Sequence, residues 1–505
     1  MDIGQLVARS ASRYATRIAV RGPQGTQTYA EFGDRVIRLA NALLGLGFQP
    51  GDRVLDLQPN QNSSIEMDLA CCTSGLVRVV LNYRLHPDDW ARIADDCGAV
   101  GMVYDGRYAE PSTALRDGFG PQRVVAIGDG PGLSYETLIA NASGTMPSIE
   151  RQPDDLVSLN YTSGTTGRPK GVRRTHRNRW SCLVGMTYDV LSAVPSERDT
   201  YLHAGPITHT SGLFVLPFIA GGGTQLIHGS YDAEAVVDAI AHHGVTHTAL
   251  VPTMVARLLA LDPEPLTGLK MLGYAGAPMP PEQIRQAYDR LTPNLVQYYG
   301  LVEAIPPVTV LTAADHARGL ADDPAILTSA GRAALGVSLR TVDEDGKPVP
   351  VGEIGEVVVR GDLVMSGYWG AAGGSVRAVV DGWLHTGDLG RLDDTGRLWL
   401  VDRKGDMIIT GGYNVYPREV EDVIAAVPGV REVAVVGVRD PDWGQRVVAL
   451  FTGSASTDVV SAHCRDQLAS FKRPKEVRQV DEFPLNATGK IAKNVLRASL
   501  EATDA

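Results

Sequence analysis

The residues with the clearest chemical potential lie in one short segment rich in glycines and hydroxyl groups, YTSGTTGRPKGV at positions 161–172. Its glycines let backbone N–H groups approach an anion closely, its hydroxyls add donors, and Lys170 adds a positive charge. The pattern is not a Walker A loop, because Gly167 is followed by Arg-Pro-Lys-Gly instead of a Gly-Lys-Ser/Thr triplet. The segment therefore predicts another type of phosphate loop, and a flexible polar surface loop is the alternative.

Further segments follow in chain order: YAGAPMP (274–280), QYYGLVEA (297–304), GWLHTGDLG (382–390) and PLNATGKI (484–491). With the loop, they resemble the motifs of the acyl-adenylate-forming superfamily, which includes acyl-CoA synthetases, adenylation domains of peptide synthetases and beetle luciferases. The resemblance implies an ATP-dependent acid–thiol ligase. Such an enzyme activates a carboxylic acid as acyl-AMP, releases pyrophosphate, and forms acyl-CoA or aryl-CoA with release of AMP. The implied cofactors are ATP, Mg²⁺ and coenzyme A.

The resemblance also implies roles for residues of the nucleotide site. Tyr299 would lie against the adenine, and Asp388 and Arg403 would bind the ribose hydroxyls, since a carboxylate can accept from both at once. Glu303 would engage magnesium, together with Thr162. The further positions carried over to ATP or AMP binding are Ser163, Gly164, Thr165, Thr166, Gly167, Lys170, Gly276, Ala277, Pro278, Tyr298 and Gly300.

The two half-reactions need different surroundings at the same site, and members of the superfamily exchange them by rotating their small domain. Lys490 matches the family's catalytic lysine, so it is expected to serve adenylation and not thioester formation. The hinge position, two residues after Arg403, is Gly405, where the family often has Asp or Lys. Glycine accepts large backbone changes at little steric cost. After rotation, Gly411 and Gly412 would line the pantetheine tunnel.

Several positions resemble the contacts that aryl- and acyl-CoA ligases make with the nucleotide end of coenzyme A. They are Trp443, Phe471 and Arg473 on the small domain and Arg84 on the large one. An aromatic face suits adenine and a guanidinium suits phosphate. The string FKRPK at 471–475 could equally be a solvated basic turn.

Two positions near the expected acyl pocket bear on activity. His209, in PITHTSG, matches the family's catalytic gate at the mouth of the acyl pocket, and an ordinary buried histidine is the alternative. Val302 stands where the family usually has Thr or Ser with its hydroxyl on the adenylate phosphate. Valine cannot donate, so either loop hydroxyls compensate or adenylation is weakened by about 1.5–3 kcal/mol, the contribution of one charge-assisted hydrogen bond.

Composition excludes several classes of protein. The chain has 505 residues, 44% hydrophobic and 21% charged, which predicts a soluble globular protein of two to four structural units. Its 47 basic and 58 acidic residues give a formal charge of −11, which disfavours a nucleic-acid partner. The longest apolar stretch, 213–220, is interrupted by Pro217 and predicts no membrane span. The N-terminus has no apolar core or cleavage site of a signal peptide, so we expect a cytoplasmic protein.

Alternating helical and strand-like stretches in the first ~400 residues predict an α/β fold. A strand at 156–161 precedes the glycine-rich loop, and Thr175 is expected to cap the next helix. We predict an N-terminal AMP-binding domain at 1–402, a hinge at 403–405 and a C-terminal domain at 406–505. The resemblance implies a large multi-layer N-terminal domain with α/β sheets and a distorted barrel, plus a small mobile α+β C-terminal domain.

Within the small domain, Pro417 begins a predicted helix that ends at Pro428 and Gly429. Strands are expected at 432–438 and 446–452, a helix at about 457–471 and a final helix after Lys490.

Two other functions stay open from the sequence. One keeps the nucleotide chemistry with a non-CoA acceptor, either a carrier protein or nitrite-dependent diazotisation in specialised metabolism. Val302 and the AIPPV stretch after Glu303 are its support. The other is a binding pseudoenzyme, which the retained Lys490 and phosphate loop disfavour. The small-molecule carboxylic acid is not identified; pocket walls are expected near 203–212, 273–277 and 301–307, and a homodimer is possible.

Overall fold

A computed structural model describes residues 2–162, 169–370, 378–411, 413–441, 443–485 and 491–503. The chain forms two compact units, each described here by itself. The first unit comprises Met1–Pro278, Arg285–Ser338 and Val359–Leu384. The second comprises Met279–Ile284, Leu339–Val358 and His385–Ala505. The hinge predicted at 403–405 lies within the second unit and stays a prediction.

The described residues of the first unit contain two large sheets. The seven-stranded sheet has the order β7-β6-β5-β3-β4-β8-β9. Its strands are β3 (Arg53–Leu57), β4 (Val77–Val80), β5 (Gly101–Asp105), β6 (Val124–Ile127), β7 (Leu133–Ser134), β8 (Leu156–Thr162) and β9 (Lys170–Thr175). The nine-stranded sheet has the order β16-β15-β14-β13-β12-β10-β11-β1-β2. Its strands are β1 (Ile18–Gly22), β2 (Gly25–Thr28), β10 (Thr200–His203), β11 (Thr224–Ile227), β12 (His247–Leu250), β13 (Met271–Tyr274), β14 (Leu295–Leu301), β15 (Ala304–Leu311) and β16 (Arg332–Ala333).

Helices connect these strands, as the alternation in the sequence predicts. They are α1 (Ile3–Arg13), α2 (Tyr29–Gly45), α3 (Asn62–Ser74), α4 (Pro87–Cys97), α5 (Thr113–Asp117), α6 (Tyr135–Asn141), α7 (His176–Gly185), α8 (Val215–Gly221), α9 (Ala233–His242), α10 (Pro252–Ala260), α11 (Pro281–Arg290) and α12 (Ala313–Ala321). The chain direction is what positions a site. Strands β10, β12, β13 and β14 run parallel, so the loops that follow them meet at one edge of the sheet.

Local signals explain where the site-bearing elements begin. Thr175 accepts from the backbone of Asn178, whose side chain accepts from the backbone of Thr175 in return, and this capping box starts α7 as predicted. Strand β8 covers the predicted 156–161 segment. The central strands β3, β4 and β5 are buried on both faces, which is typical of a parallel sheet covered by helices.

Two further sheets have five strands each in the described part of the chain. The first has the order β17-β18-β20-β19, with β21 also paired to β20. Its strands are β17 (Ser338–Val342), β18 (Gly355–Arg360), β19 (Val379–Val380), β20 (Trp383–Leu392) and β21 (Leu398–Arg403). The second, in the second unit, has the order β23-β22-β25-β24, with β26 on β25. Its strands are β22 (Ile408–Thr410), β23 (Tyr413–Val415), β24 (Val430–Asp440), β25 (Gly444–Gly453) and β26 (Glu476–Gln479).

The second unit also has the α+β content expected of the small domain, with α13 (Pro417–Ala425), α14 (Thr457–Gln467) and α15 (Lys493–Thr503). Pro417 is the first residue of α13, as predicted. The helix expected at 457–471 was predicted too long. Leu468 has ψ 142°, which ends α14, and a short 3₁₀ turn at Ser470–Lys472 follows before Pro474. A proline disfavours helical backbone in the residue that precedes it, so Arg473 is extended, with ψ 131°, and the 3₁₀ turn ends at Lys472.

Candidate active site

The loops at one edge of the nine-stranded sheet bring together three of the predicted site segments. They follow β10, β13 and β14 and carry His209, Gly276 to Pro278 and Glu303, respectively. The exposed loop after β13 turns at Gly276, which has φ +86°, a conformation that favours glycine. The parallel arrangement of these strands, rather than nearness in sequence, collects the segments.

Strand alternation separates the two adjacent tyrosines of the QYYGLVEA segment. Tyr298 is 1% exposed and packs edge-on against Phe214 in the apolar core, with 6.1 Å between ring centroids. Its side chain therefore does not reach the surface on which the sequence predicted nucleotide contacts. Tyr299, on the opposite face, is half-buried. Gly300 leaves room for Pro306, since an added Cβ would lie 2.7 Å from Pro306 Cγ.

Glu303 lies in the turn between β14 and β15 and is held by a neighbour that the sequence analysis missed. The Tyr368 hydroxyl donates to Glu303 Oε1 at 3.0 Å, and Met365 N donates to the Glu303 carbonyl at 2.8 Å. Burial and the adjacent carboxylate raise the pKa of Tyr368 well above its usual value, so this phenol remains a donor at neutral pH. Lys170 Nζ lies 5.4 Å from the Tyr368 ring centroid.

The β8–β9 hairpin supplies Lys170 and positions the start of the predicted phosphate loop. Thr162 is the partner of Lys170 in the antiparallel register, so the two residues flank the base of the loop. The following predicted positions lie outside the described residues: Ser163, Gly164, Thr165, Thr166 and Gly167, and likewise Gly412 and Lys490.

The described residues supply too few carboxylates to hold Mg²⁺ alone, but they suit a Mg²⁺ ion that is also bound by phosphates. No group of three or more His, Cys, Asp or Glu side chains that could hold a metal is found in the described part of the chain. Mg²⁺ keeps several waters and is usually held by one or two carboxylates plus substrate phosphates. Glu303, with Lys170 nearby for the phosphate charge, fits that arrangement.

The loop after β10 is held by a buried histidine and carries His209. His203 lies between Ser211 Oγ, 2.8 Å from Nδ1, and Gln225 Oε1, 2.6 Å from Nε2. Burial lowers the pKa of His203 to about 4, so the imidazole is neutral and structural. His209 Nδ1 lies 2.8 Å from Thr208 Oγ1.

A cavity of about 70 Å³ opens beside His209, between the β8–β9 hairpin, α3, α7 and the loop after β10. It includes parts of two predicted pocket walls, at 207–212 and at Ile305, but not the segment 273–277. Its other side is polar, which the sequence analysis did not foresee. The polar lining residues there are Asp68, Arg78, Ser158, Asn160, Arg174 and Arg179.

In the second unit, the two predicted ribose ligands face each other across strands β20 and β21. Asp388 and Arg403 are register partners, and Arg403 Nε donates to Asp388 Oδ1 at 3.0 Å. Asp388 is 6% exposed, whereas the Arg403 side chain is largely exposed. Gly405 follows in an exposed turn where an added Cβ would meet no atom within 4 Å.

The predicted CoA residues of the second unit are partly brought together by aromatic contacts. Tyr413 stacks on Phe471 with 4.8 Å between ring centroids, and Lys475 Nζ lies 4.3 Å from the Trp443 ring centroid. Gly411 has φ +57° and its N–H donates to the Trp443 carbonyl at 2.9 Å. Tyr413 and Lys475 were not identified as site residues from the sequence. Lys475 lies within the FKRPK string, and Tyr413 follows the glycine pair.

The two predicted CoA arginines differ in their surroundings. Arg473 donates through Nε to the Leu468 carbonyl at 2.9 Å and through Nη2 to the Arg465 carbonyl at 2.7 Å. Its guanidinium therefore caps the end of α14. Arg84, in the first unit, is exposed and lies over the Tyr83 ring at 5.5 Å.

In the described residues, no helix has both the length and the apolar character needed to cross a membrane.

A family model for AMP-binding enzymes matches residues 7–369, and one for the AMP-binding enzyme C-terminal domain matches residues 419–490. A feruloyl-CoA synthase from an Amycolatopsis species is 37% identical, with 98% of each chain covered. An indoleacetate–CoA ligase from Aromatoleum aromaticum is 33% identical, again with 98% of each chain covered. The solved structure of an amide bond synthetase from Marinactinospora thermotolerans is 30% identical with a TM-score of 0.88, covering 99% of each chain.

Proposed function

Because the chain belongs to the AMP-binding enzyme family of acyl-adenylate-forming ligases, we propose which of its residues carry the two half-reactions and which class of acid it activates. The chain is an AMP-forming acid–thiol ligase. It converts a carboxylic acid to acyl-AMP with release of pyrophosphate and then to acyl-CoA with release of AMP. ATP, Mg²⁺ and coenzyme A take part in the reaction.

The observation that supports a nucleotide site in the first unit is the grouping of Lys170, Glu303 and Tyr368 at the ends of β9 and β14. Lys170 neutralises phosphate charge as the acid's oxygen attacks the α-phosphorus. Glu303 holds Mg²⁺, which supplies further charge neutralisation when bound. The Tyr368 hydrogen bond fixes the Glu303 carboxylate in one rotamer, so that little side-chain entropy is lost when the nucleotide binds.

The second unit carries the remaining assigned roles in this proposal. Asp388 and Arg403 bind the ribose hydroxyls, with the carboxylate accepting and the guanidinium orienting it. Residues 403–405 are the hinge between domains at 1–402 and 406–505, and rotation there exchanges Lys490 for the thiol path beside Gly411. Trp443 binds the adenine of coenzyme A on its exposed face.

The acid is proposed to be aromatic, because feruloyl-CoA synthase and indoleacetate–CoA ligase match over nearly the whole chain. The test offers pooled aromatic, linear and branched acids with ATP and Mg²⁺, with and without coenzyme A, and identifies products by mass spectrometry. We expect aryl-CoA products from the aromatic pool. CoA adducts only from the aliphatic pools would contradict the substrate class.

Two variants test the residue roles separately. Lys490→Ala should abolish adenylation while thioester formation from a supplied acyl-adenylate is largely kept, and the exposed Lys347→Ala is the matched control. Trp443→Ala should raise the KM for coenzyme A about tenfold, the order of one base–aromatic stack, and leave the KM for ATP unchanged. Loss of neither half-reaction in Lys490→Ala would refute its assignment.

One observation favours an acyl acceptor other than coenzyme A. The Arg473 guanidinium is engaged by two backbone carbonyls, which weakens the case for a phosphate contact with coenzyme A. An amide bond synthetase is also among the similar structures. Pyrophosphate release without any CoA adduct, followed by product on addition of an amine, would support acyl transfer to nitrogen.

We also propose that the enzyme works in the cytoplasm, where ATP and coenzyme A are available, and that it forms a homodimer as the family resemblance implies. Light scattering coupled to size-exclusion chromatography measures the mass in solution. A mass of one chain at micromolar concentration would contradict the dimer.

A further inference from the structure

One face of the β8–β9 hairpin runs from the proposed nucleotide site to the polar cavity. Thr162 lies opposite Lys170 at one end of this face, and Ser158 lies opposite Arg174 at the other. Lys170 and Arg174 are four residues apart on the same face of β9, which separates their Cα atoms by about 13 Å. An acid whose carboxyl group reacts beside Lys170 therefore extends toward Arg174.

Arg174 has a buried donor without a partner. Its Nη2 donates to the Val302 carbonyl at 3.1 Å, but its Nε is buried and has no hydrogen-bond acceptor among the described residues. Burial lowers the pKa of Arg174 to about 10, which leaves the guanidinium charged at neutral pH. A buried charge is costly unless a counter-charge and hydrogen bonds compensate it.

The other two arginines of the cavity wall are already neutralised. Arg78 Nε donates to Asp56 Oδ2 at 2.6 Å, and Arg179 makes a bidentate pair with Asp68 at 2.8 and 2.6 Å. Burial alone would raise the pKa of Asp68, but the two arginines overcome it and lower the pKa to about 2. Two carboxylates thus balance two guanidiniums. Among the described residues, Glu303 and Asp68 act on the Arg174 guanidinium only through space, and no carboxylate is hydrogen-bonded to it.

Apart from Thr208 and His209, the rest of the wall is apolar and would pack against a hydrocarbon or aromatic skeleton. The apolar lining residues are Ile65, Val80, Leu183, Ile207, Leu213, Val215, Leu216 and Ile305. A site of this kind accepts a mostly apolar molecule with one charged end. A guanidinium presents its donors in a planar fork that matches the two oxygens of a carboxylate.

We propose that Arg174 binds a small planar oxyanion, such as a carboxylate, at the inner end of the acid-binding cavity. This inference rests on the proposed function, because it assigns a second polar group to the acid that the enzyme activates. The oxyanion is carried at the end of the acid remote from the reacting carboxyl group. A free small anion is the other source with the same chemistry.

The test compares cinnamic, 4-methoxycinnamic and 4-carboxycinnamic acids by kcat/KM for AMP formation. We expect a preference of about 10- to 100-fold for the 4-carboxy compound over both neutral acids, the range of one charged hydrogen-bonded contact. Arg174→Gln keeps a polar side chain with an N–H near the position of Arg174 Nε but loses the charge and the fork, and should abolish the preference. Arg177→Leu, which removes only an exposed pair with Asp154, should retain it.

Direct binding separates this inference from the proposed function. Calorimetry without ATP or coenzyme A should show 4-carboxycinnamate binding the wild type at least tenfold more tightly than Arg174→Gln. Such a difference without any catalytic product would keep the oxyanion site and overturn the proposed function. Equal affinities, or a preference retained in Arg174→Gln, would overturn the site.

The free-anion source is tested with cinnamic acid in the presence of sodium formate or sodium nitrite, with sodium chloride at equal ionic strength as the control. An Arg174-dependent increase in cinnamate turnover or binding would assign the oxyanion to a free molecule and overturn its placement on the acid. No change with either salt is the result expected for an oxyanion carried by the substrate.

Discussion

Glu303 belongs to a predicted site motif and is also held by an observed hydrogen bond from Tyr368. Substitutions of these two residues should therefore distinguish the effect of the Glu303 charge from the effect of its position. Glu303→Gln removes the carboxylate charge proposed to hold Mg²⁺ and should lower the rate of adenylation by about 100-fold or more, comparable to loss of one preorganised electrostatic contact. Tyr368→Phe removes only the hydroxyl that donates to Glu303 Oε1. It should raise the Mg²⁺ concentration for half-maximal rate by about tenfold.

Pyrophosphate release measured across a magnesium titration distinguishes the two effects. The exposed Tyr188→Phe serves as the control for loss of a phenolic hydroxyl. A rate in Tyr368→Phe that is reduced equally at all magnesium concentrations would contradict a positioning role for Tyr368.

Val302 differs from the Thr or Ser that the family usually has at this position, and a single substitution can reverse the difference. Its carbonyl is held by Arg174, so the backbone position is fixed while the side chain offers no donor. Val302→Thr introduces the hydroxyl that the family usually has, in a side chain of nearly the same volume as valine. We expect adenylation to become about tenfold faster if loop hydroxyls have not replaced the missing contact. Single-turnover formation of acyl-AMP is the measurement, and an unchanged rate would indicate that the loop already compensates.

At the scale of elements, local signals predicted much of the fold. The capping box at Thr175 and the proline at the start of α13 act within one helical turn, so the sequence is sufficient to identify them. The pairing of Tyr368 with Glu303 spans 65 residues and depends on tertiary structure. The buried Arg174 Nε, which has no acceptor among the described residues, was equally hidden, because only the fold reveals which arginines pair with carboxylates.

The turn after β21 carries the proposed hinge, and a proline tests it. Gly405→Pro restricts φ to about −65° and should hold the proposed C-terminal domain, 406–505, in one orientation. We expect one half-reaction to be kept and the other to fall at least 100-fold, as positioning for one step is lost. Gly405→Ala is the control, since its Cβ meets no atom within 4 Å. Adenylation and thioester formation assayed separately, with circular dichroism to verify folding, provide the test. Both half-reactions at wild-type rates in Gly405→Pro would contradict a hinge at this residue.

At the scale of the whole molecule, buried histidines dominate the expected pH dependence of stability. Burial lowers the pKa of His176, His203, His247 and His316 to about 4, from an unfolded value near 6.5. Between these values the unfolded chain holds more protons than the folded one. Stability therefore increases with pH in this window and is lost as pH falls from 6.5 toward 4. Four aspartates oppose this trend, because burial raises the pKa of Asp402 to about 6 and also raises the pKa values of Asp56, Asp189 and Asp422.

Each of the four histidines should contribute up to about 1.4 kcal/mol of lost stability per pH unit within that window. His316→Gln can keep a hydrogen bond to the Tyr274 hydroxyl, which lies 2.9 Å from His316 Nε2, but cannot titrate. Urea unfolding at pH 7.5, 6.0 and 5.0 should thus give a smaller slope of stability against pH than the wild type has. The exposed His86→Gln is the control for replacement of an imidazole at the surface. A wild-type slope in His316→Gln would mean that this imidazole takes up its proton equally in the folded and unfolded chain.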